Sequence, residues 1–181
     1  PPSEIANGLA EIVKHAAIYD AGYFDAIESN IARIEQLDPG FIEDLVHQSV
    51  VIKARVVNRD EKETGERRKL NFGHTFGHAI EKCSGLAHGQ AVSIGMRIAG
   101  QFSIQNAGFP PADQDRLVGL LRQLNLPVNL PVAPAELVQA LGKDKKRQGA
   151  ALHFVCLETI GRATVRTVTI AELEAFAASL S

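Results

Sequence analysis

The run Asn71-Phe72-Gly73-His74-Thr75-Phe76-Gly77-His78-Ala79-Ile80-Glu81, followed by His88-Gly89, gathers three of the chain's six histidines within fifteen residues. His74 and His78 are one helical turn apart, so both imidazoles fall on one face. Gly73 and Gly77 remove side chains where another backbone or a ligand could approach. His88 stands just before an expected helix, whose positive end disfavours imidazolium and keeps the ring available as a neutral ligand. A catalytic divalent ion such as zinc takes about three protein ligands and leaves one position open. The core of the segment lacks a carboxylate, and Glu11 is the candidate to supply it. Glu11 and Lys14 lie off the apolar stripe Ile5, Leu9, Ile12, Val13 and Ala16 on a shared arc. There they either face a cleft together or form a solvated i,i+3 pair. The histidine pair has its own plain alternative, two satisfied polar side chains in a helix contact.

The elements that must carry these residues are mostly helices. The stripe from Ile5 to Ala16 makes the first, over Glu4 to about His15, and Tyr23 to Leu37 repeats the pattern until Asp38-Pro39-Gly40 stops it. Phe41 to Arg59 resumes it, and the three read as antiparallel neighbours. Asp60 to Lys69 is charge-rich and broken by Gly65; Leu70 to Cys83 and Gly89 to Asn106 then carry the histidines on two further helices. Another helix follows at Ala112 to Leu124, then a proline-punctuated loop from Pro127 to Pro134 and a short helix at Ala135 to Leu141. One region reads as extended: Ala151 to Leu157 and Ala163 to Thr169, joined by a turn at Ile160-Gly161-Arg162, form a small hairpin before a last helix at Ala171 to Leu180. The expected fold is a mainly α multi-helix bundle with one β-hairpin near the C-terminus, in a single domain.

Composition excludes several function classes. Across 181 residues, 19 basic side chains are offset by 21 acidic ones, which leaves no electrostatic footprint for nucleic acid or a membrane surface. No apolar run approaches the roughly 20 residues that span a bilayer. Mean hydropathy of −0.01 and 45% hydrophobic residues are those of a globular chain. Cys83 and Cys156 have no CxxC spacing, so neither a disulfide framework nor a thiolate zinc site is expected, and a reducing cytoplasm fits. The chain opens on Pro1-Pro2-Ser3-Glu4 without a methionine and runs at once into a helix, which reads as a fragment of something longer.

The histidine segment with Arg67 before it, the continuation His88-Gly89-Gln90-Ala91-Val92-Ser93-Ile94-Gly95-Met96, and the opening Gly8-Leu9-Ala10-Glu11-Ile12-Val13-Lys14 together resemble the 3-dehydroquinate synthases. Asp144-Lys145-Lys146 and Phe154 to Gly161 extend the resemblance to nearly the whole chain in the family's order. It implies a two-domain cytoplasmic enzyme, a homodimer, whose amino-terminal α/β half holds NAD and whose helical carboxy-terminal half holds zinc or cobalt. Only the second half is matched here. The reaction implied is that of a phosphate-eliminating lyase of the shikimate pathway: a seven-carbon keto-acid sugar phosphate is transiently oxidised by NAD, loses phosphate, is re-reduced, opens and closes to the carbocycle dehydroquinate.

Carried over by position, the resemblance implies Glu11, His74 and His88 as metal ligands and His78 as a substrate contact. It further implies Lys14, Lys53, Glu63, Arg67 and Asn71 as substrate contacts, with Lys145 or Lys146 binding the phosphate. Without it, Lys53 reads as a solvated helix residue, Glu63 and Arg67 as an exposed i,i+4 pair, and Lys143 to Arg147 as a basic loop. His15, His47 and His153 match no motif and are left as structural. Two positions depart from the family pattern: Gln90 stands where Glu is usual, which bears on charge around the metal, and Glu66 replaces an apolar residue. No glycine-rich strand-to-helix turn precedes Glu11, so the chain is expected to bind no NAD and, isolated, to be inactive. Three other readings share some of these features: a related sugar phosphate cyclase, a metal-dependent polyol dehydrogenase, and a helical regulatory domain with an inherited zinc site. The Glu11 and Lys14 spacing and the Asp144-Lys145-Lys146 motif argue against the dehydrogenase.

Overall fold

The computed structural model describes residues 2–62, 65–148 and 151–180, with the backbone alone for residues 2, 3 and 143–148. Its helices are α1 (Pro2–Tyr19), α2 (Ala21–Glu28), α3 (Ile31–Glu35), α4 (Pro39–Arg59), α5 (His74–Ser84), α6 (His88–Ala107), α7 (Pro111–Gln123), α8 (Pro134–Gln148) and α9 (Ile170–Ala178). A 3-10 segment, Glu66–Asn71, precedes α5, and the antiparallel strands β1 (Ala151–Thr159) and β2 (Arg162–Thr169) form a hairpin before α9. The mainly α bundle with one C-terminal hairpin is the architecture expected from the sequence.

Local chemistry sets the boundaries. The Asp20 carboxylate accepts from the Tyr23 amide to start α2, Asp38 does the same for Phe41 ahead of Pro39 on α4, and Thr169 and Glu172 form a capping box on α9. The single helix expected over Tyr23 to Leu37 is two. Asn30 turns its amide back to the Ala26 carbonyl, a local bond that competes with helix propagation, and Leu37 sits exposed at φ 52°. The pattern Leu70 to Cys83 is likewise broken: the 3-10 segment ends at Asn71, and Gly73, at a φ of 77°, precedes the start of α5. The short helix expected to stop at Leu141 runs on to Gln148, so Asp144-Lys145-Lys146 is helical and not a loop.

Helix α6 is the axis of the core, buried from Ala91 to Met96 and from Ile98 to Gly100. It is surrounded by α1, α5, α7 and β1. Phe76, Phe102, Phe154 and Phe176 stack edge to face or tilted, with centroids 4.9 to 6.3 Å apart, tying α5, α6, β1 and α9 together. Helix α1 is buried on more sides than its stripe suggests: Ala10, Val13, Ala16 and Ala17 are fully enclosed, whereas Ile5, placed on the stripe, is 41% exposed. The hairpin turn meets α1 directly, the Gly161 amide donating to the Ala17 carbonyl at 2.8 Å. Among the described residues no helix is long and apolar enough to cross a membrane.

Candidate metal centre

Helices α5 and α6 meet too closely for side chains. A Cβ on Gly95 would stand 2.1 Å from the Gly73 carbonyl oxygen, and one on Gly73 would stand 2.7 Å from Met96 Cγ. The motif's glycines therefore admit a neighbouring backbone. This contact sets His74, the first residue of α5, beside His88, the first residue of α6. The His74 ring lies 5.4 Å, centroid to centroid, from both His78 and His88, and the last two are 6.0 Å apart. From α1, Glu11 reaches the same corner, its Oε1 4.0 Å from His74 Nε2.

One ligand atom each from Glu11, His74 and His88 lie within 4.8 Å of one another. Three tetrahedral ligands about 2.1 Å from one ion are about 3.4 Å apart, so side-chain shifts of about an ångström close the set. The tautomers agree with that use. His74 Nδ1 lies 3.2 Å from the Phe72 carbonyl and His88 Nδ1 3.2 Å from Glu81 Oε2, groups that only accept; each Nδ1 therefore carries the proton and each Nε2 keeps a lone pair. Burial, reinforced by the charge of Lys14, lowers the His74 pKa to about 4, so the ring is neutral at physiological pH. Two imidazole nitrogens and a carboxylate oxygen suit zinc or cobalt.

Lys14 is not on a solvated arc. It is 2% exposed and donates to both oxygens of Glu11, at 2.9 and 2.8 Å. Burial lowers its pKa, and the Glu11 charge opposes that. Burial alone would raise the Glu11 carboxyl, but Lys14, by charge and hydrogen bond, holds it below the ordinary value. The pair thus faces a cleft together: Glu11, Lys14, His15, Lys53, Arg67, Leu70, Asn71 and His74 line a cavity of about 210 Å³. A neighbouring cavity of about 250 Å³ shares Asn71 and His74 and adds Thr75, His78, Leu141, Leu152, His153 and Ile170. Lys53, Asn71 and His78 are exposed, and Arg67 donates to the Glu61 carbonyl at 3.0 Å. Glu63 lies outside the described residues, as do the side chains of Lys145 and Lys146.

Some participants escaped the sequence reading. Glu81, within the motif but given no role, supplies the carboxylate behind His88, so the substitution at Gln90 leaves that ring with an anionic partner. Seven residues separate Glu81 from both His74 and His88, and the helical spacing from His74 was its only signal. His15 and His153, which match no motif, line the two cavities. His15 is 3% exposed, shares a 2.7 Å hydrogen bond between Nδ1 and Ser49 Oγ, and has no partner at Nε2. Glu66 departs from the family without cost, its side chain half exposed and paired with Lys69 at 2.7 Å.

The model of a family described as 3-dehydroquinate synthase C-terminal matches residues 8–147. The chain is 40% identical over 177 residues to a curated 3-dehydroquinate synthase of Bordetella pertussis strain Tohama I, covering 96% of this chain and 49% of that one. It is 42% identical over 174 residues to that of Geobacter sp. strain M21, covering 93% and 48%. The chain spans about half the length of the curated relatives it matches. Among solved structures it is similar to ValA, the 2-epi-5-epi-valiolone synthase of Streptomyces hygroscopicus subsp. jinggangensis 5008 with NAD+ and Zn2+ bound, at a TM-score of 0.82 and 30% identity, over 97% of this chain and 51% of that one. A 2-deoxy-scyllo-inosose synthase complexed with carbaglucose-6-phosphate, NAD+ and Co2+ shares the fold at a TM-score of 0.82 and 22% identity, over 98% and 52%.

Proposed function

Since the chain belongs to the 3-dehydroquinate synthase C-terminal family, we propose that it is the metal- and substrate-binding half of a 3-dehydroquinate synthase, a lyase that turns 3-deoxy-D-arabino-heptulosonate 7-phosphate into 3-dehydroquinate and phosphate. In this reading residues 1–181 form one domain, the NAD-binding half is a separate amino-terminal domain, and the whole enzyme is a cytoplasmic homodimer. The observation that carries it is the convergence of Glu11, His74 and His88, the first two of which line a cavity with Lys14, Lys53 and Arg67.

The side chains suit the substrate. A sugar acid phosphate brings a carboxylate and a phosphate, and three cationic side chains at one cavity neutralise such charge, Arg67 with a planar fork fitted to bidentate contacts. Zinc bound by Glu11, His74 and His88 would act as a Lewis acid that lowers the pKa of the substrate hydroxyl. Asn71 and His78 line the adjoining cavity and orient the remaining hydroxyls, while Lys145 or Lys146 takes the phosphate. Many polar contacts around one bound molecule let a single site serve successive steps by positioning. Burial of Lys14 and His74 keeps their proton affinities low, so Lys14 gives up a proton to a reacting oxygen more readily than an exposed lysine would.

The test is turnover by the full-length protein with NAD and zinc. Equimolar phosphate and dehydroquinate, lost on chelation and restored by Zn2+ or Co2+, are expected. Release of a different carbocycle would assign the site to another sugar phosphate cyclase, and metal uptake without turnover would leave a regulatory zinc domain.

A further inference from the structure

Helix α6 carries His88 on its first turn and starts without a cap of its own. The residue before it is Ala87, whose side chain accepts nothing, so the amides of the first turn lack the local acceptor that Ser, Thr, Asp or Asn would provide. One of them is satisfied from far away in sequence: the Gly89 amide donates to Asn7 Oδ1 at 2.8 Å, across 82 residues. The approach leaves no room for anything else. A Cβ on Gly89 would stand 2.5 Å from Asn7 Cα and 2.7 Å from Asn7 Oδ1, so the backbones of α1 and α6 abut at this point.

Both partners of this bond are neighbours of metal-ligand candidates. Gly89 directly follows His88, and Asn7 is one helical turn before Glu11 on α1. The other restraint on the His88 ring comes from Glu81 on α5, and Lys14, which holds Glu11, belongs to α1 itself. Among the described hydrogen bonds, that from Gly89 to Asn7 is the one joining the start of α6 to α1. We infer that Asn7 is a positioning residue for the metal centre, capping α6 from α1 and so fixing the separation of Glu11 and His88. The inference rests on the metal-centre reading above.

Co2+ binding to the full-length protein tests it, by competition with a chelator and by the visible absorption of the bound ion, which reports coordination geometry. Asn7→Ala should weaken Co2+ binding at least about tenfold, in the range found for outer-shell partners of metal ligands, and change the visible spectrum. Asn7→Asp retains an oxygen acceptor at the same reach and should restore affinity and spectrum. Ser93→Ala removes a different bond of α6, the 2.8 Å hydrogen bond to the Pro127 carbonyl, and should lower Tm while leaving Co2+ binding as in the wild type. Should Asn7→Ala not fold, Asn7→Leu, close to asparagine in size and without an acceptor, carries the same expectation. Wild-type affinity and spectrum in Asn7→Ala, or Asn7→Asp as weak as Asn7→Ala, would overturn the positioning role alone. A wild-type protein that takes up no Co2+ would overturn the metal centre, and the role of Asn7 with it.

Discussion

His74 and His78 share a helix face and a motif, yet their surroundings differ: His74 is half-buried with Nε2 4.0 Å from Glu11, and His78 is exposed on the wall of the adjoining cavity. In the full-length enzyme His74→Ala should abolish both zinc retention and activity, while His78→Ala should lower activity and keep zinc. Metal analysis decides it, and equal zinc loss in both would mean that the roles are exchanged. Behind His88, Glu81→Leu should weaken zinc binding by about 10- to 100-fold and Glu81→Gln, which keeps an oxygen, by less, as read by chelator competition. His15 bears on stability. Burial, with the charge of Lys14 next, lowers its pKa from 6.5 to about 4, so between those values the unfolded chain takes up a proton that the folded chain refuses. Stability is therefore full above about pH 6.5 and falls as the pH drops toward 4. The loss is up to about 3 kcal/mol for this group, and His74 adds to it in the metal-free chain. Urea titrations at pH 7 and 5 should show a clearly smaller loss in His15→Asn than in the wild type.

At the scale of elements, the site exists because α5 and α6 touch along their glycines. Gly95→Ala puts a methyl against the Gly73 carbonyl and the Gly77 amide, at 2.1 and 2.7 Å, so the helices must separate. Overpacking of this kind costs about 3 kcal/mol, and it moves His74 away from His88. A lowered urea midpoint together with weakened metal binding is the expected result. Gly119 on α7 is the contrast, since a methyl there meets nothing within 4 Å. Gly119→Ala should raise stability by about 0.5 to 1 kcal/mol through helix propensity, with metal binding unchanged. The two substitutions are chemically identical, so their opposite signs measure the helix contact and not the residue type.

For the molecule as a whole, one continuous core runs from Leu9 on α1 to Leu180 beyond α9. The chain alone should therefore unfold in one cooperative transition. It should bind no NAD, because no phosphate-cradling loop occurs in the sequence; calorimetric titration with NAD checks this, and a stoichiometric micromolar complex would reveal a nucleotide site within these residues. Lys53 and Asn71 are exposed on the wall of the cavity beside Glu11 and His74.

The sequence by itself determined the helices that carry Glu11, His74 and His88 and the hairpin with its turn at Gly161, because hydrophobic period and turn chemistry are local properties; the ligand trio followed from the family resemblance and not from spacing. It left the setting of Glu11 and Lys14 open between a cleft and a solvated pair, since a single stripe cannot show that α1 is enclosed by α2, α4, α6 and the hairpin, where Lys14 is buried. It could not choose between a backbone and a ligand beside Gly73 and Gly77; Val92, Gly95 and Met96 on α6 answer that. The carboxylate of Glu81 behind His88, the bond of His15 to Ser49 and the amide of Gly89 on Asn7 join residues 7, 34 and 82 positions apart. Such pairings leave no periodic trace in the chain. They come into being only when the packing of α1, α4, α5 and α6 brings the partners within hydrogen-bonding distance, and it is that packing which turns scattered histidines and one carboxylate into a single centre.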